Sequence, residues 1–331
     1  MTDTHSGNPK ITIVVSTAFS AAAARLTLAS VAMQTIRNDI ELLFVVNPGT
    51  DVSAVQLLLN AVGSARVIDD APIDTVDKSS ARAAMSARAP FVSLIEDHAF
   101  PDPDWAERVV EAFETSGADG VGTAVQNANP STWLSWSNFI LAYSHWSEIT
   151  PRGEIGWISH HNGSLRTAAL HRLGEERVVA GSNREGDIIR DIKKGGMLYF
   201  EPRARIRHIN PSNLNSTFKH RWDVGRLYAT NRARQENWSV AKRLTYVVLG
   251  PAIPFLRYVR MRRDAFVQLP EINERTHGIA MLIGLVFDAA GQMVGYLAGE
   301  GKARQRMEVF EMDRAKHLVP NDRKEFYPEG I

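Results

Sequence analysis

Apolar and polar positions alternate in blocks along the first half of the chain. Short apolar runs at 11–16, 40–46, 65–68, 91–95 and 120–125 read as strands, each too short for a helix and bounded by turn residues. Between them, 21–36 (alanine-rich), 51–62, 76–88 and 104–116 read as helices. The helix over 51–62 follows Asn47-Pro48-Gly49-Thr50, and the one over 104–116 is expected to be capped by Asp104. This rhythm predicts an α/β fold, a mostly parallel sheet with helices on both faces.

The pattern changes after Asn129-Pro130. Trp133, Trp136, Phe139, Ile140, Tyr143 and Trp146 recur every three or four residues. Such an aromatic helical stripe is expected first of all to pack on the sheet, with substrate or lipid contact as the alternative. A segment at 155–158, helices at 167–173 and near 185–194, and strands near 197–200 and 205–209 complete the predicted domain. The expected organisation is a disordered 1–10, an α/β domain over 11–211, and a basic, partly amphipathic helical region over 212–331.

That last region changes the picture of an otherwise balanced protein. Across 331 residues the net charge is +1, which predicts no nucleic-acid partner. Yet 203–263 holds 14 Lys and Arg against only Asp223 and Glu236. The apolar stretch 244–256, broken by Pro251 and Pro254, has Lys242 and Arg243 before it and Arg257, Arg260, Arg262 and Arg263 after it. The apolar 278–299 contains Asp288 and several glycines, so it does not read as a clean membrane span. Basic flanks around amphipathic segments suit an anionic membrane surface. The competing expectation is a helical subdomain with a solvated basic face. With no signal-like segment at its start and no cysteine, the chain is expected to be cytoplasmic, peripheral on the inner face of the plasma membrane.

The densest candidate chemistry is Glu96-Asp97-His98, at the end of the apolar run 91–95. Ligands of open α/β sheets bind beyond the carboxyl ends of the strands. Carboxylate and imidazole there can hold Mn2+ or Mg2+ and, through it, a phosphate. His208, ending the run from Arg205, offers a further ligand. The bland alternative is a solvated strand end. Glu185-Gly186-Asp187 supplies two carboxylates, either able to act as general base; an ordinary acidic first helical turn explains them as well. Trp157, His160, His161 and Asn162 form a donor-rich turn suited to acceptor or diphosphate contact. Gly117-Ala118-Asp119-Gly120-Val121-Gly122 is not a dinucleotide fingerprint and is read as a turn into a strand.

In order and spacing these segments resemble the GT-A-type inverting glycosyltransferases of family 2, over about residues 11–210. The opening strand through Ser16 and Thr17 is similar to one that lines the family's nucleotide pocket. Leu28-Ala29-Ser30-Val31-Ala32-Met33-Gln34-Thr35 looks like its Leu-x-Ser-Leu-x-x-Gln-Thr helix. Asn47 stands where a base-contacting aspartate is usual. Lys78-Ser79-Ser80-Ala81-Arg82 resembles the segment ending Ala-Arg-Asn, with Ala83 replacing the asparagine. Glu96-Asp97-His98 sits where the metal-binding Asp-x-Asp belongs. Asn162 to Arg166 resembles an acceptor-side Asn-x-x-x-Arg. Glu185 to Asp187 falls at the Glu-Asp pair that carries the base. Pro202 to His208 matches a Pro-x-Ala-x-x-x-His ending.

The resemblance implies transfer of a sugar, with inversion, from a nucleotide-diphosphate donor to a glycan or lipid-linked acceptor of cell-surface polysaccharide synthesis. It implies donor contacts from Ser16, Thr17, Asn47, Arg82, Glu96 and Asp97, and a metal held by Glu96, His98 and His208. Glu185 is slightly preferred over Asp187 as base. Two other expectations remain beside it: an inactive GT-A-like partner protein, and a sugar nucleotidyltransferase, for which 16–25 lacks the lysine-rich phosphate loop.

Overall fold

The structure is a computed structural model that describes residues 8–159, 162–182, 187–268 and 272–328. Most of the disorder expected at 1–10, over residues 1–7, lies outside that set. The chain forms two compact units, one of residues up to 128 and 145–208, the other of 129–144 and 209–328.

The first unit is a single sheet. Along the chain its strands are β1 (Ile11–Ser16), β2 (Ile40–Val45), β3 (Ser64–Ile68), β4 (Phe91–Glu96), β5 (Ala99–Pro101), β6 (Gly120–Asn127), β7 (Gly153–Glu154), β8 (Ser164–Arg166) and β9 (Leu198–His208). Their order is β3-β2-β1-β4-β8-β6-β9-β5, with β7 also on β9. The run β3-β2-β1-β4 is parallel throughout, and β6 and β9 are parallel. The short β8 enters antiparallel between β4 and β6.

Helices α1 (Arg25–Ala32), α2 (Gln56–Leu59), α3 (Val76–Met85) and α4 (Trp105–Ser116) precede α5 (Trp133–Tyr143); α6 (Thr167–Leu173), α7 (Glu175–Ser182) and α8 (Asp187–Gly195) follow it. All but α5 belong to the first unit. They cover both faces of the sheet, as the alternation of side chains along a strand requires. Val14, Leu43 and Val92 join a core with Ala81, Leu170, Val178 and Ile189 from α3, α6, α7 and α8. Phe91 points the other way and stacks on Phe113 of α4 at 4.4 Å between ring centroids.

Several elements differ from expectation for local reasons. The helix predicted over 21–36 is a 3-10 turn followed by α1, and that over 51–62 shrinks to a 3-10 turn and one turn of α2. Asp104 does occupy the cap position of α4, but its carboxylate accepts from Arg108 instead of capping the backbone. The two strands expected near 197–200 and 205–209 are the single β9. Its pairing with β6 skips from Glu201 to Arg205, so 202–204 bulge out at Pro202, which has no N–H to give the ladder. Glu201 at the bulge is buried. Burial disfavours its charge, but the Arg203 guanidinium and backbone N–H, with Arg152, hold its carboxyl below the usual range.

The segment 117–122 is a turn into a strand, as read from the sequence, and each glycine has a task. Gly117 ends α4 at φ 69°. Gly120 and Gly122 leave room for the fully buried Ile158, whose Cγ2 would lie 2.7 Å from a Cβ on Gly122.

The second unit is helical. It holds α5, α9 (Leu214–Gln235), α10 (Val240–Val248), α11 (Ile253–Gln268), α12 (Glu274–Ala298), α13 (Ala303–Met312) and α14 (Pro320–Phe326). The aromatic stripe of α5 packs on helices of this unit. Trp136, Phe139 and Ile140 are buried, and Trp136 meets His277 of α12 edge-on. Arg221 of α9, buried, donates to the Asn138 side chain and carbonyl of α5, both at 2.8 Å; burial lowers its pKa to about 10. Glycines bring α9 and α12 nearly into backbone contact: a Cβ on Gly225 would lie 2.0 Å from the Asp288 carbonyl oxygen, and one on Gly291 2.1 Å from that of Trp222. Helix α12 is long and apolar enough to cross a membrane, but 56% of its most apolar stretch is buried inside the protein.

Candidate active site

The site forms where β1, β4 and β9 end. The register aligns Ser16 with Glu96, so the last residues of β1 and β4 lie side by side at the carboxyl edge of the parallel strands. After Glu96 the chain turns through Asp97 and His98 into β5, which pairs antiparallel with the end of β9, Ala99 opposite His208. That pairing sets His98 against His208, with ring centroids 4.8 Å apart and planes inclined at 69°. Both imidazoles are 2% exposed.

Glu96 is the hub. Its Oε2 lies 3.0 Å from His208 Nε2, and its Oε1 3.8 Å from His98 Nε2. Its Oε2 also accepts from Asn162 Nδ2 at 2.8 Å, while its backbone N–H donates to Asn162 Oδ1 at 3.2 Å. Asn162 does this from the left-handed region, φ 58°, where asparagine is among the few non-glycine residues at ease. It sits just ahead of β8, whose pairing with β4 brings it level with Glu96. Its side-chain amide is thus engaged with Glu96.

Asp97 Oδ1 lies 2.9 Å from His98 Nδ1. A carboxylate on Nδ1 fixes the tautomer that leaves the Nε2 lone pair facing Glu96, the arrangement found behind metal-bound histidines. One carboxylate and two imidazoles, with ligand atoms within 4.8 Å of one another, form the one such group among the described residues. The donor set fits a divalent cation, and mixed imidazole and carboxylate suits Mn2+ as well as Mg2+.

The remaining expected donor contacts lie along the same edge. Ser16 Oγ is 2.7 Å from Ser80 Oγ of α3. The Thr17 N–H donates to the Val45 carbonyl, tying the exits of β1 and β2 together. Asn47 spans the loops, donating to the Ala18 carbonyl at 2.6 Å and accepting from the Ile73 N–H at 2.8 Å. Arg82 is half-exposed, 3.5 Å from Asp74, and lines an open depression of about 580 Å³ with Lys78 and Glu175, Glu176, Val179 and Ala180 of α7.

On the acceptor side, His160, His161 and Glu185 lie outside the described residues. Asp187, almost fully buried, opens α8 and takes a salt bridge from Arg190 at 3.2 Å. The same guanidinium lies 5.9 Å from the ring centroid of Trp157. Lys193, one turn on, donates to the Gly156 carbonyl at 3.0 Å, and Trp146 Nε1 donates to that of Trp157 at 3.1 Å. So α8 carries Asp187 and also holds the segment that presents Trp157. The sequence gives Arg190 and Lys193 no evident role; their i+3 and i+6 spacing from Asp187, on one helical face, is the available signal.

Residues 12–172 match the family described as Glycosyl transferase family 2. No curated protein matches the chain. Among solved structures, the crystal structure of S. aureus TarS 1-349 in complex with UDP-GlcNAc is similar at 13% identity, over 90% of this chain and 92% of that one, with a TM-score of 0.50. TarS 1-349 without a named ligand gives 14% identity, the same coverage and a TM-score of 0.47. The longer S. aureus TarS gives 13% identity over 96% of this chain and 55% of that one, with a TM-score of 0.47. The structure at a TM-score of 0.50 speaks only for the fold, and the family match, which covers β1 and β4 but ends before α8 and β9, speaks for the chemistry. Residues 12–172 carry the glycosyl transferase family 2 match, and the chain is a glycosyltransferase of the GT-A fold.

Proposed function

We propose that the protein transfers a sugar, with inversion, from a nucleoside-diphosphate sugar to a hydroxyl of a glycan or lipid-linked acceptor in cell-surface polysaccharide synthesis. The observation that carries this reading is the convergence of Glu96, His98 and His208 at the strand ends. It supplies a cation site where a diphosphate would have to sit. The ligand named for the TarS complex makes uridine-diphosphate sugars the first donors to try.

Ser16, Thr17, Asn47 and Arg82 bind the nucleotide along the edge, and Asp97 orients His98. Glu96, His98 and His208 would hold a divalent cation, which when bound would offset the charge on the departing diphosphate. Trp157, with His160 and His161, positions the acceptor. The acceptor oxygen forms a bond to the anomeric carbon as the bond to the diphosphate oxygen breaks on the opposite face. The hydroxyl proton passes to a carboxylate of the 185–187 segment. Asp187 is already engaged by Arg190, so we assign proton transfer to Glu185. General-base catalysis contributes roughly 100- to 10,000-fold. Glu185→Gln should therefore lower kcat by at least about 100-fold with donor affinity unchanged, and Asp187→Asn should do less. Full turnover by Glu185→Gln would refute the assignment.

A further inference from the structure

The basic, apolar segment 240–263 folds into two helices that each lean on α12 with one face and turn the other to solvent. On α10 the inward face is Arg243, Tyr246 and Val247. Arg243 donates to the Tyr296 carbonyl at 2.7 Å, and Tyr246 and Val247 pack on a core of Ala229, Trp238 and Tyr296. The outward face is Val240, Leu244 and Val248, a strict i, i+4, i+8 row exposed by 68%, 48% and 78%. On α11, Arg257 and Tyr258 turn inward, to Asp288 at 2.9 Å and toward Glu274. Phe255, Leu256 and Val259 turn outward, each about 60% exposed, and the exposed run continues across the connection at Leu249, Pro251 and Ala252.

Rows of bare aliphatic and aromatic side chains of this kind mark an interaction surface. The charge says of what sort. Residues 240–263 contain six Lys and Arg, namely Lys242, Arg243, Arg257, Arg260, Arg262 and Arg263, and no carboxylate. Arg260 is exposed beside Phe255, Leu256 and Val259 on α11, whereas Arg262 is salt-bridged to Glu274 of α12 at 3.0 Å. An apolar row with cations alongside fits a surface that is greasy inside and anionic at its rim.

We infer that the outward faces of α10 and α11 form an interfacial docking element for an anionic lipid bilayer. Val240, Leu244, Val248, Phe255 and Val259 enter the acyl boundary, and Arg260 meets the headgroups. Helix α12, long and apolar enough to cross a membrane, is instead largely spent on the internal packing of its own unit. The inference is independent of the donor assignment, since its test reads binding alone.

The test is flotation of the full-length protein with vesicles of phosphatidylcholine containing 30% phosphatidylglycerol, against pure phosphatidylcholine. The protein should float with the anionic vesicles and largely stay behind with the neutral ones. Val248→Glu/Phe255→Glu should cut binding at least tenfold. Arg260→Gln should also weaken it, since a basic residue near such a surface is worth on the order of fivefold in partitioning. Val248, Phe255 and Arg260 are all exposed, so an unchanged circular-dichroism spectrum and melting temperature should accompany the loss. Failure of the wild type to bind anionic vesicles, or equal binding by the glutamate variant, overturns the inference. So does a wild-type dimer in solution that the glutamate variant converts to monomer, which would assign the face to a second copy of the chain.

Discussion

Asn162 stands in a left-handed backbone so that one side chain can grip both the carboxylate and the N–H of Glu96. Asp97 does the corresponding service for His98. The four residues rank by what each loses. His98 offers a ligand atom, whereas Asp97 acts only through His98. Loss of a supporting partner behind a metal ligand typically costs 10- to 100-fold in affinity. In a Mn2+ titration followed by calorimetry, Asp97→Ala should weaken binding by about tenfold, and His98→Ala by clearly more. The reverse order would mean that Asp97 is the ligand and that the triplet is out of register by one residue. The contact between Asp97 and His98 was beyond the reach of sequence, because it depends on the turn into β5. The partnership of Asn162 with Glu96 was equally hidden, since φ at Asn162 has no signature beyond the residue type.

At the scale of elements, the centre of the parallel half was legible because its strands are largely apolar runs buried on both faces, as at 11–16 and 40–45. The elements that were missed lack that signal. Strand β8 is three residues, Ser164-Leu165-Arg166, and pairs through the sheet centre by backbone and a Ser93–Ser164 hydroxyl contact. The aromatic stripe of α5 announces a buried face but not its partner, and the partner proved to be α12, more than 120 residues on. Gly122 shows how an element can be placed by a missing side chain. It admits Ile158, and Ile158 anchors the stretch that presents Trp157. Gly122→Ala should destabilise the protein by about 1–3 kcal/mol in urea unfolding, the usual cost of overpacking. Because the obstacle is the Ile158 Cγ2, Gly122→Ala should add little to Ile158→Ala. Strict additivity of the two substitutions would show that Gly122 serves another purpose.

At the scale of the whole molecule, the two units divide the work. The sheet unit brings Ser16, Glu96, His98 and His208 together where β1, β4 and β9 end. The helical unit buries its own charges, Arg221 and Asp288 among them, and keeps an apolar and cationic face outward. The family and its fold were readable from the ordered motifs even though individual ones depart, with Asn47, Glu96 and His98 where aspartates are usual. Those departures make the cation site the claim on which the account turns. Calorimetric titration of uridine diphosphate into the purified protein, with and without Mn2+, tests it most directly. Binding should require Mn2+, tightening at least tenfold when it is added, and His208→Ala should remove that enhancement while leaving the melting temperature near the wild-type value. Equal binding with and without Mn2+, or an enhancement that survives His208→Ala, would contradict a diphosphate site built on Glu96, His98 and His208.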